Sequence, residues 1–186
     1  PSHLSQRLLD HPYLNKNLHE ILEASVDLKY YLSATYLDTL EKHARRQKEH
    51  GNGFGYYVLN NREHNREYAN TIMATGGSGK ERNLVIQKMP VHTYEEEKTL
   101  KKKGGINKKN IRMMTPTEWG RLQGFIGYGF VDPITGAEGF SFPENIPEGQ
   151  KYKQFGNSVS IPVIETMAEF IYDQLVYLTD RSEKPV

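Results

Sequence analysis

The nonapeptide Lys151-Tyr152-Lys153-Gln154-Phe155-Gly156-Asn157-Ser158-Val159 decides how the rest of the chain is interpreted. Its glycine and asparagine predict a tight turn, and the serine that follows is of a type that caps helices. Pro162 then suits the first turn of a helix, whose start offers free backbone N–H groups to an anionic ligand. Apolar residues recur at spacings of three and four, which predicts an amphipathic helix from about residue 161 with a face that must be buried: Val163, Ile164, Met167, Ile171, Leu175 and Leu178.

A second stretch carries an equally well-marked helix start. It reads Arg112-Met113-Met114-Thr115-Pro116-Thr117-Glu118-Trp119-Gly120-Arg121-Leu122-Gln123-Gly124-Phe125. Thr115 and Glu118 have the spacing of a capping box, in which each side chain binds the backbone N–H of the other residue. Pro116 falls at the first helical position, where its fixed backbone angle favours the helix.

In this order, the two stretches resemble the last two motifs of the DNA (cytosine-5) methyltransferases. That family has Arg-x-x-Thr-Pro-x-Glu-x-x-Arg-Leu-Gln-Gly-Phe, then Tyr-Lys-Gln-Phe-Gly-Asn-Ser-Val at the end of its catalytic domain. The resemblance implies that the turn residues lie beside the amino-acid end of S-adenosylmethionine, and that Arg112 braces the recognition domain against the cofactor domain. Thr117 departs from the arginine often found there, which leaves the capping intact. The implied cofactor-binding residues are Gly156, Asn157 and Ser158, and the structural ones are Arg112, Thr115 and Glu118.

The chain lacks the residues that perform the family's chemistry. Members of the family flip the target cytosine out of the duplex, attack C6 with a cysteine thiolate and transfer a methyl group to C5. The chain contains no cysteine, no Glu-Asn-Val motif and no Gly-rich cofactor loop after an N-terminal strand. The resemblance therefore covers the recognition domain and the last two motifs, and it implies a partner portion that carries the Pro-Cys motif and shares the S-adenosylmethionine.

Composition narrows the remaining possibilities. The chain has 186 residues, enough for one domain with a real core, and a net charge of +1 that says nothing about partners. The lack of cysteine excludes disulfides and thiolate metal sites. His19-Glu20 begins a zinc-protease pattern that lacks its second histidine, so we expect no metal. We also expect a cytoplasmic location and no membrane contact, because no apolar run is long enough and no signal-peptide pattern opens the chain.

The predicted fold class is α+β, with a small, twisted, mostly antiparallel sheet, long loops and flanking helices. Residues 1–50 are predicted as a helical connection from the missing catalytic domain, with a helix that starts at Ser33 and stops at Gly51. Residues 51–150 are predicted as the target-recognition domain, with strands at 56–59, 71–74 and 84–86. Residues 151–186 are predicted to hold the Gly-Asn-Ser-Val motif and the amphipathic helix that docks on the cofactor domain.

A glycine-rich loop, Thr75-Gly76-Gly77-Ser78-Gly79-Lys80-Glu81-Arg82, separates two of these strands. A phosphate-binding P-loop would need glycine in place of Ala74 and a hydroxyl residue in place of Glu81. A plain hairpin turn stays open as an alternative. The family resemblance implies instead a loop that faces the major groove, with a threonine before it that contacts the DNA backbone. The implied DNA-binding residues are Thr71, Gly76, Gly77, Ser78, Gly79, Lys80 and Arg82.

A basic stretch before the second motif completes the predicted DNA-binding set. Its lysines would neutralise phosphates and supply affinity without sequence preference. A solvated surface loop is the alternative interpretation of such a charge run. The predicted residues are Lys101, Lys102, Lys103, Lys108 and Lys109.

The sequence as a whole predicts the DNA-recognition and C-terminal portion of a DNA (cytosine-5) methyltransferase, as a fragment or as a small subunit in a restriction-modification setting. It would bind duplex DNA and complete the S-adenosylmethionine site of a catalytic half. The alternative is a non-catalytic DNA-binding or regulatory module derived from that fold. The intact Gly-Asn-Ser turn favours the first, because a module without a partner has no use for it. A general RNA-binding domain lacks support, since no aromatic stacking signature is present.

Overall fold

The computed structural model describes residues 3–53, 56–61, 69–74 and 80–182. The described chain combines helices with one small sheet, so the predicted α+β class is confirmed. The helices are α1 (His3–Asp10), α2 (Leu18–Ile21), α3 (Ala34–Glu49), α4 (Tyr94–Thr99), α5 (Pro116–Leu122), α6 (Glu148–Asn157) and α7 (Ile161–Ser182); the strands are β1 (Leu84–Ile86) and β2 (Ile111–Met113); and 3₁₀ turns span Leu28–Tyr30 and Lys80–Asn83.

The sheet pairs β1 with β2 in antiparallel fashion, with Leu84 opposite Met113. The strand predicted at residues 84–86 is therefore correct, while residues 56–59 contribute a single parallel bridge between Val58 and Leu84. The strand predicted at residues 71–74 is wrong, since that segment is irregular. Just before this segment, a side chain takes the place of strand pairing. The Asn83 side chain accepts from the backbone amide of Asn70 at 2.8 Å and donates to the Asn70 carbonyl at 2.9 Å.

The largest buried cluster forms around Trp119 of α5. Tyr152 of α6 meets the indole edge-on with 4.8 Å between ring centroids, and its hydroxyl donates to the carbonyl of Met114 at 2.6 Å. Phe155, one turn further along α6, is also buried in this cluster. A second cluster lies under α3, where Leu37 belongs to the same buried cluster as Leu84 of β1 and Ile111 of β2. The core thus joins α5 and α6, which carry the two sequence motifs.

The predicted helix starts are confirmed where the signal is local. Ser33 accepts from the amide of Tyr36 at 3.1 Å, and Gly51 ends the helix region with a φ of +72°. Thr115 and Glu118 form both hydrogen bonds of a capping box, with Pro116 as the first residue of α5. These ends depend on neighbouring residues alone, which is why the sequence could predict them.

The predicted tight turn at Gly156-Asn157 is wrong, because both residues belong to the last turn of α6. Ser158 caps the C-terminus of α6 rather than the start of the next helix, and its hydroxyl donates to the carbonyl of Phe155 at 2.6 Å. The prediction missed α6 because its helical pattern is weak and contains two glycines. Burial of Tyr152 and Phe155 against α5 stabilises the helix instead.

The predicted amphipathic helix is confirmed as α7, but its apolar stripe lies open. Ile164 is 49% exposed, Ile171 54%, Leu175 58% and Leu178 62%. Another side of α7 contacts α1, where Arg7 pairs with Asp173 at 2.6 Å. A continuous apolar stripe of this kind is typical of a surface that another chain covers.

Candidate functional site

A fully buried ion pair lies at the centre of the first motif. Arg112 of β2 donates from both terminal guanidinium nitrogens to the Glu118 carboxylate, at 2.8 and 2.6 Å. Its Nε donates to Gln87 at 2.6 Å, and one terminal nitrogen also donates to the carbonyl of Met113 at 2.9 Å. Both side chains of the pair are fully inaccessible to solvent. The pair therefore joins the sheet to the start of α5 with every charged group hydrogen-bonded.

The same pair ties in the N-terminal part of the chain. The amide of Glu23 donates to the Glu118 carboxylate at 2.8 Å, and the Glu23 carboxylate accepts from the hydroxyl of Thr115. Gln87 donates to the carbonyl of Glu23 at 2.7 Å. Glu23 and Gln87 are not predictable from the sequence, because each lies far along the chain from the motif and has no local pattern.

Gly156, one of the predicted cofactor residues, lies directly against the segment that carries Thr71. A Cβ placed on Gly156 would stand 2.4 Å from the carbonyl carbon and oxygen of Met73 and 2.6 Å from the amide nitrogen of Ala74. Only glycine permits this approach, so the backbone of residues 73–74 packs onto the end of α6. Thr71 itself is exposed, and so is Asn157. The structure therefore brings one predicted DNA contact and the predicted cofactor contact into one unit.

The glycine-rich loop is described only at its end. Gly76, Gly77, Ser78 and Gly79 lie outside the described residues, and Lys80 begins the 3₁₀ turn Lys80–Asn83. Arg82 is exposed, and its carbonyl accepts from the Asn70 side chain at 2.6 Å. The turn is thus hydrogen-bonded to Asn70, in the segment that carries Thr71.

The five predicted lysines fall into two groups. Lys101, Lys103 and Lys108 are exposed and have no ion-pair partner within the part of the chain that the structure describes. Lys102 instead donates its ammonium to the carbonyls of Lys29, at 2.9 Å, and Tyr31, and burial lowers the pKa of Lys102. Lys109 pairs with Glu41 at 2.6 Å on the surface. The basic stretch therefore offers three uncommitted charges and two that have internal partners.

Two further features bear on function. Among the described residues, no group of three histidine, aspartate or glutamate side chains is placed to hold a metal ion. No helix among those residues is long and apolar enough to cross a membrane.

Comparison with known proteins agrees with this arrangement of motifs. The family model described as C-5 cytosine-specific DNA methylase matches residues 1–173. The chain belongs to that family, and the resemblance drawn from the two motifs is confirmed.

Individual relatives are type II methyltransferases of bacteria. The chain is 42% identical over 159 residues to the type II methyltransferase M.HpaII of Haemophilus parainfluenzae, covering 85% of this chain and 38% of that protein. It is 33% identical over 155 residues to M1.ScrFI of Lactococcus lactis subsp. cremoris, covering 83% of this chain and 31% of the relative. The chain thus spans well under half the length of these relatives.

Solved structures show the same fold. The S. pombe Dnmt2 methyltransferase matches with a TM-score of 0.51 at 15% identity, over 92% of this chain and 46% of that one. The Entamoeba histolytica methyltransferase EhMeth matches with a TM-score of 0.51 at 16% identity, over 86% of this chain and 41% of that one. At such low identity the likeness concerns the fold alone.

Proposed function

We propose that this chain is the target-recognition and C-terminal portion of a DNA (cytosine-5) methyltransferase. It binds duplex DNA and completes the S-adenosylmethionine site of a catalytic portion that transfers a methyl group to C5 of cytosine. The observation that carries the proposal is the exposed apolar stripe of α7, which begins directly after the Gly156-Asn157-Ser158 motif. That stripe is where the catalytic portion would dock, which would place the motif at the junction.

The residues of the motif fit one end of the cofactor. The Asn157 side chain is exposed and makes no hydrogen bond within the described part of the chain, so its amide can donate to and accept from an amino-acid group. The hydroxyl of Ser158 donates its proton to the carbonyl of Phe155, so the Ser158 oxygen remains available only as an acceptor. Gly156 positions this end of α6 against Met73. S-adenosylmethionine supplies an electrophilic methyl group when bound, and the rest of its site belongs to the catalytic portion.

DNA binding would draw on Thr71 and on exposed basic side chains. Arg82, Lys101, Lys103 and Lys108 offer positive charge that releases counterions from the phosphate backbone. Lys109 stays in the proposed set, because its pair with Glu41 is exposed and such pairs are worth little. Lys102 stays in the proposed set as part of the basic stretch. The glycine-rich residues 76–79, together with Lys80, complete the set by family resemblance.

The chain contains no thiol, so the nucleophile that attacks cytosine must come from the catalytic portion. The proposed division of labour is therefore recognition, cofactor completion and positioning here, with covalent chemistry elsewhere.

Association with a cysteine-bearing catalytic portion tests the proposal. Leu175→Lys places a charge in the exposed stripe of α7, and we expect it to abolish co-elution of the two portions in size-exclusion chromatography. Glu169→Lys is the matched control, because residue 169 is exposed and falls on another side of the helix. Undiminished association of the Leu175→Lys chain would overturn the docking role of α7. DNA binding without any association would favour the non-catalytic module.

A further inference from the structure

A cavity of about 460 Å³ opens beside Thr71. It lies between the turn after α1, residues 69–72, the end of α5 and the start of α7. No carboxylate lines it, whereas two cationic side chains, Lys16 and Arg121, do. The lining residues are Tyr13, Leu14, Lys16, Ile21, Ala69, Asn70, Thr71, Ile72, Arg121, Leu122, Gln123, Ser160 and Val163.

Ser160, one of the residues that line the cavity, carries a buried hydroxyl without a partner. The Oγ of Ser160 is buried and makes no hydrogen bond to any described residue. A buried hydroxyl that lacks a partner destabilises the fold that holds it. A group that stays unpaired in the free protein therefore points to an acceptor that arrives with a ligand.

The first turn of α7 offers one further backbone donor to the cavity. Ser160 directly precedes α7, a helix of 22 residues. The amide of Ile161 already donates to the carbonyl of Gln123 at 2.9 Å, and Pro162 has no N–H. Val163 is the next first-turn donor, and it lines the same cavity. The positive end of the helix macrodipole adds to the attraction for an anion.

The two cations are held in place rather than neutralised. Lys16 Nζ lies 4.3 Å from the centroid of the Tyr13 ring, and one terminal nitrogen of Arg121 donates to the carbonyl of Ile21 at 3.0 Å. An arginine carries five N–H donors, so most of those of Arg121 remain for a ligand. Neither cation pairs with a carboxylate in the described part of the chain.

The geometry points to a binding site for a phosphate group of the DNA backbone, held by Ser160, Lys16 and Arg121. Thr71, at the rim of the same cavity, is the residue proposed to contact the backbone of the duplex. A second phosphate seated here would fix the register of the duplex against α7, since phosphate contacts position a protein without reading sequence. This inference rests on the proposed DNA binding of the chain.

Ser160→Ala tests the site with two opposite effects. Removal of an unpaired buried hydroxyl should leave the melting temperature of the free chain equal or raise it. The same change should weaken binding to a mixed-sequence duplex by about tenfold, because a hydrogen bond to a charged group is lost. A hydroxyl with a purely structural role would lower the melting temperature and leave DNA affinity unchanged, and that result would overturn the proposal.

The salt dependence of DNA binding tests the cation. Lys16→Gln should reduce the slope of log K against log salt concentration by about one. Lys88→Gln is the control, because Lys88 is exposed and lies outside both the cavity and the proposed DNA-binding set. Unchanged slope and affinity for both Lys16→Gln and Ser160→Ala, with the unsubstituted chain still binding DNA, would overturn the phosphate site alone. No DNA binding by the unsubstituted chain would overturn the proposed function and this inference with it.

A comparison of inorganic phosphate with chloride at equal ionic strength separates the two sources of phosphate. Thermal stabilisation by inorganic phosphate that disappears in Ser160→Ala, combined with unchanged DNA affinity, would show a site for the free anion and overturn the assignment to the duplex. Loss of DNA affinity in Ser160→Ala, with or without phosphate stabilisation of the unsubstituted chain, is the result that the proposal expects.

Discussion

Replacement of Arg112 by methionine should remove much of the stability of the whole chain. The substitution keeps an unbranched apolar side chain but leaves the Glu118 carboxylate buried, with its two guanidinium hydrogen bonds of 2.6 and 2.8 Å lost. Breaking one partner of a buried pair costs about 3–5 kcal/mol, because the remaining charge stays uncompensated. At about 2–4 °C per kcal/mol for a chain of this size, the melting temperature should fall by roughly 6–20 °C.

Equilibrium urea unfolding, followed by circular dichroism, measures this change. Lys109→Met is the matched control, because it breaks an exposed pair with Glu41 and should cost less than about 1 kcal/mol. The double variant Arg112→Met with Glu118→Leu removes both charges and should recover part of the loss. A loss of less than about 1 kcal/mol in the free energy of unfolding for Arg112→Met would refute the role given to the pair. So would a double variant whose loss equals the sum of the losses of the two single variants.

Three further predictions concern local features. Gly156→Ala should destabilise the chain by about 1–3 kcal/mol because its Cβ would overlap the Met73 carbonyl, whereas Gly53→Ala meets no atom within 4 Å and should not; thermal melts decide, and equal melting temperatures would contradict the packing. Thr115→Ala should cost about 1–2 kcal/mol in urea unfolding through loss of the α5 cap, against under about 0.5 kcal/mol for Thr117→Ala; similar costs would remove the case for the cap. Burial raises the pKa of Tyr13 to about 12, so the contribution of Tyr13 to stability is complete below pH 10 and is lost as the pH rises towards 12. In a titration followed by tyrosinate absorbance, the Tyr13→Phe variant should show one late-titrating group fewer than the unsubstituted chain. Identical curves for the two proteins would count against this burial.

The sequence predicted those features that depend on neighbouring residues. Ser33 and Thr115 start their helices where expected, since a cap requires only a residue and the amides two or three positions ahead. The position of α7 followed from its apolar spacing in the same way. The exposure of its apolar stripe could not be predicted, because the spacing shows that one face of the helix is apolar but does not show what covers that face.

Long-range partners account for the failures. Residues 71–74 have the composition of a strand, yet β2 takes the place beside β1, and Asn83 binds the backbone of Asn70. The local sequence predicts a turn at Gly156, whereas this glycine is a helical residue that lets the backbone of Met73 approach. Each outcome is decided by a residue more than ten positions away, which local patterns cannot reveal.

The candidate site was predictable in part for the same reason. Asn157 and Arg112 could be chosen as candidates because they belong to motifs with a fixed order in the chain. Ser160 was not, because a single serine before a helix is ordinary and its meaning comes from the cavity around it. Among the predicted lysines, the sequence could not show that Lys102 donates to backbone carbonyls, since those carbonyls are far away in the chain.

Methyl transfer from labelled S-adenosylmethionine to mixed-sequence duplex DNA tests the central claim most directly. The account predicts no transfer by this chain alone, because it contains no cysteine, and transfer when a catalytic portion with the Pro-Cys motif is added. Asn157→Ala in the mixture should then reduce the rate. Transfer by the chain alone would contradict the account, and so would an inactive mixture in which the two portions associate and DNA is bound.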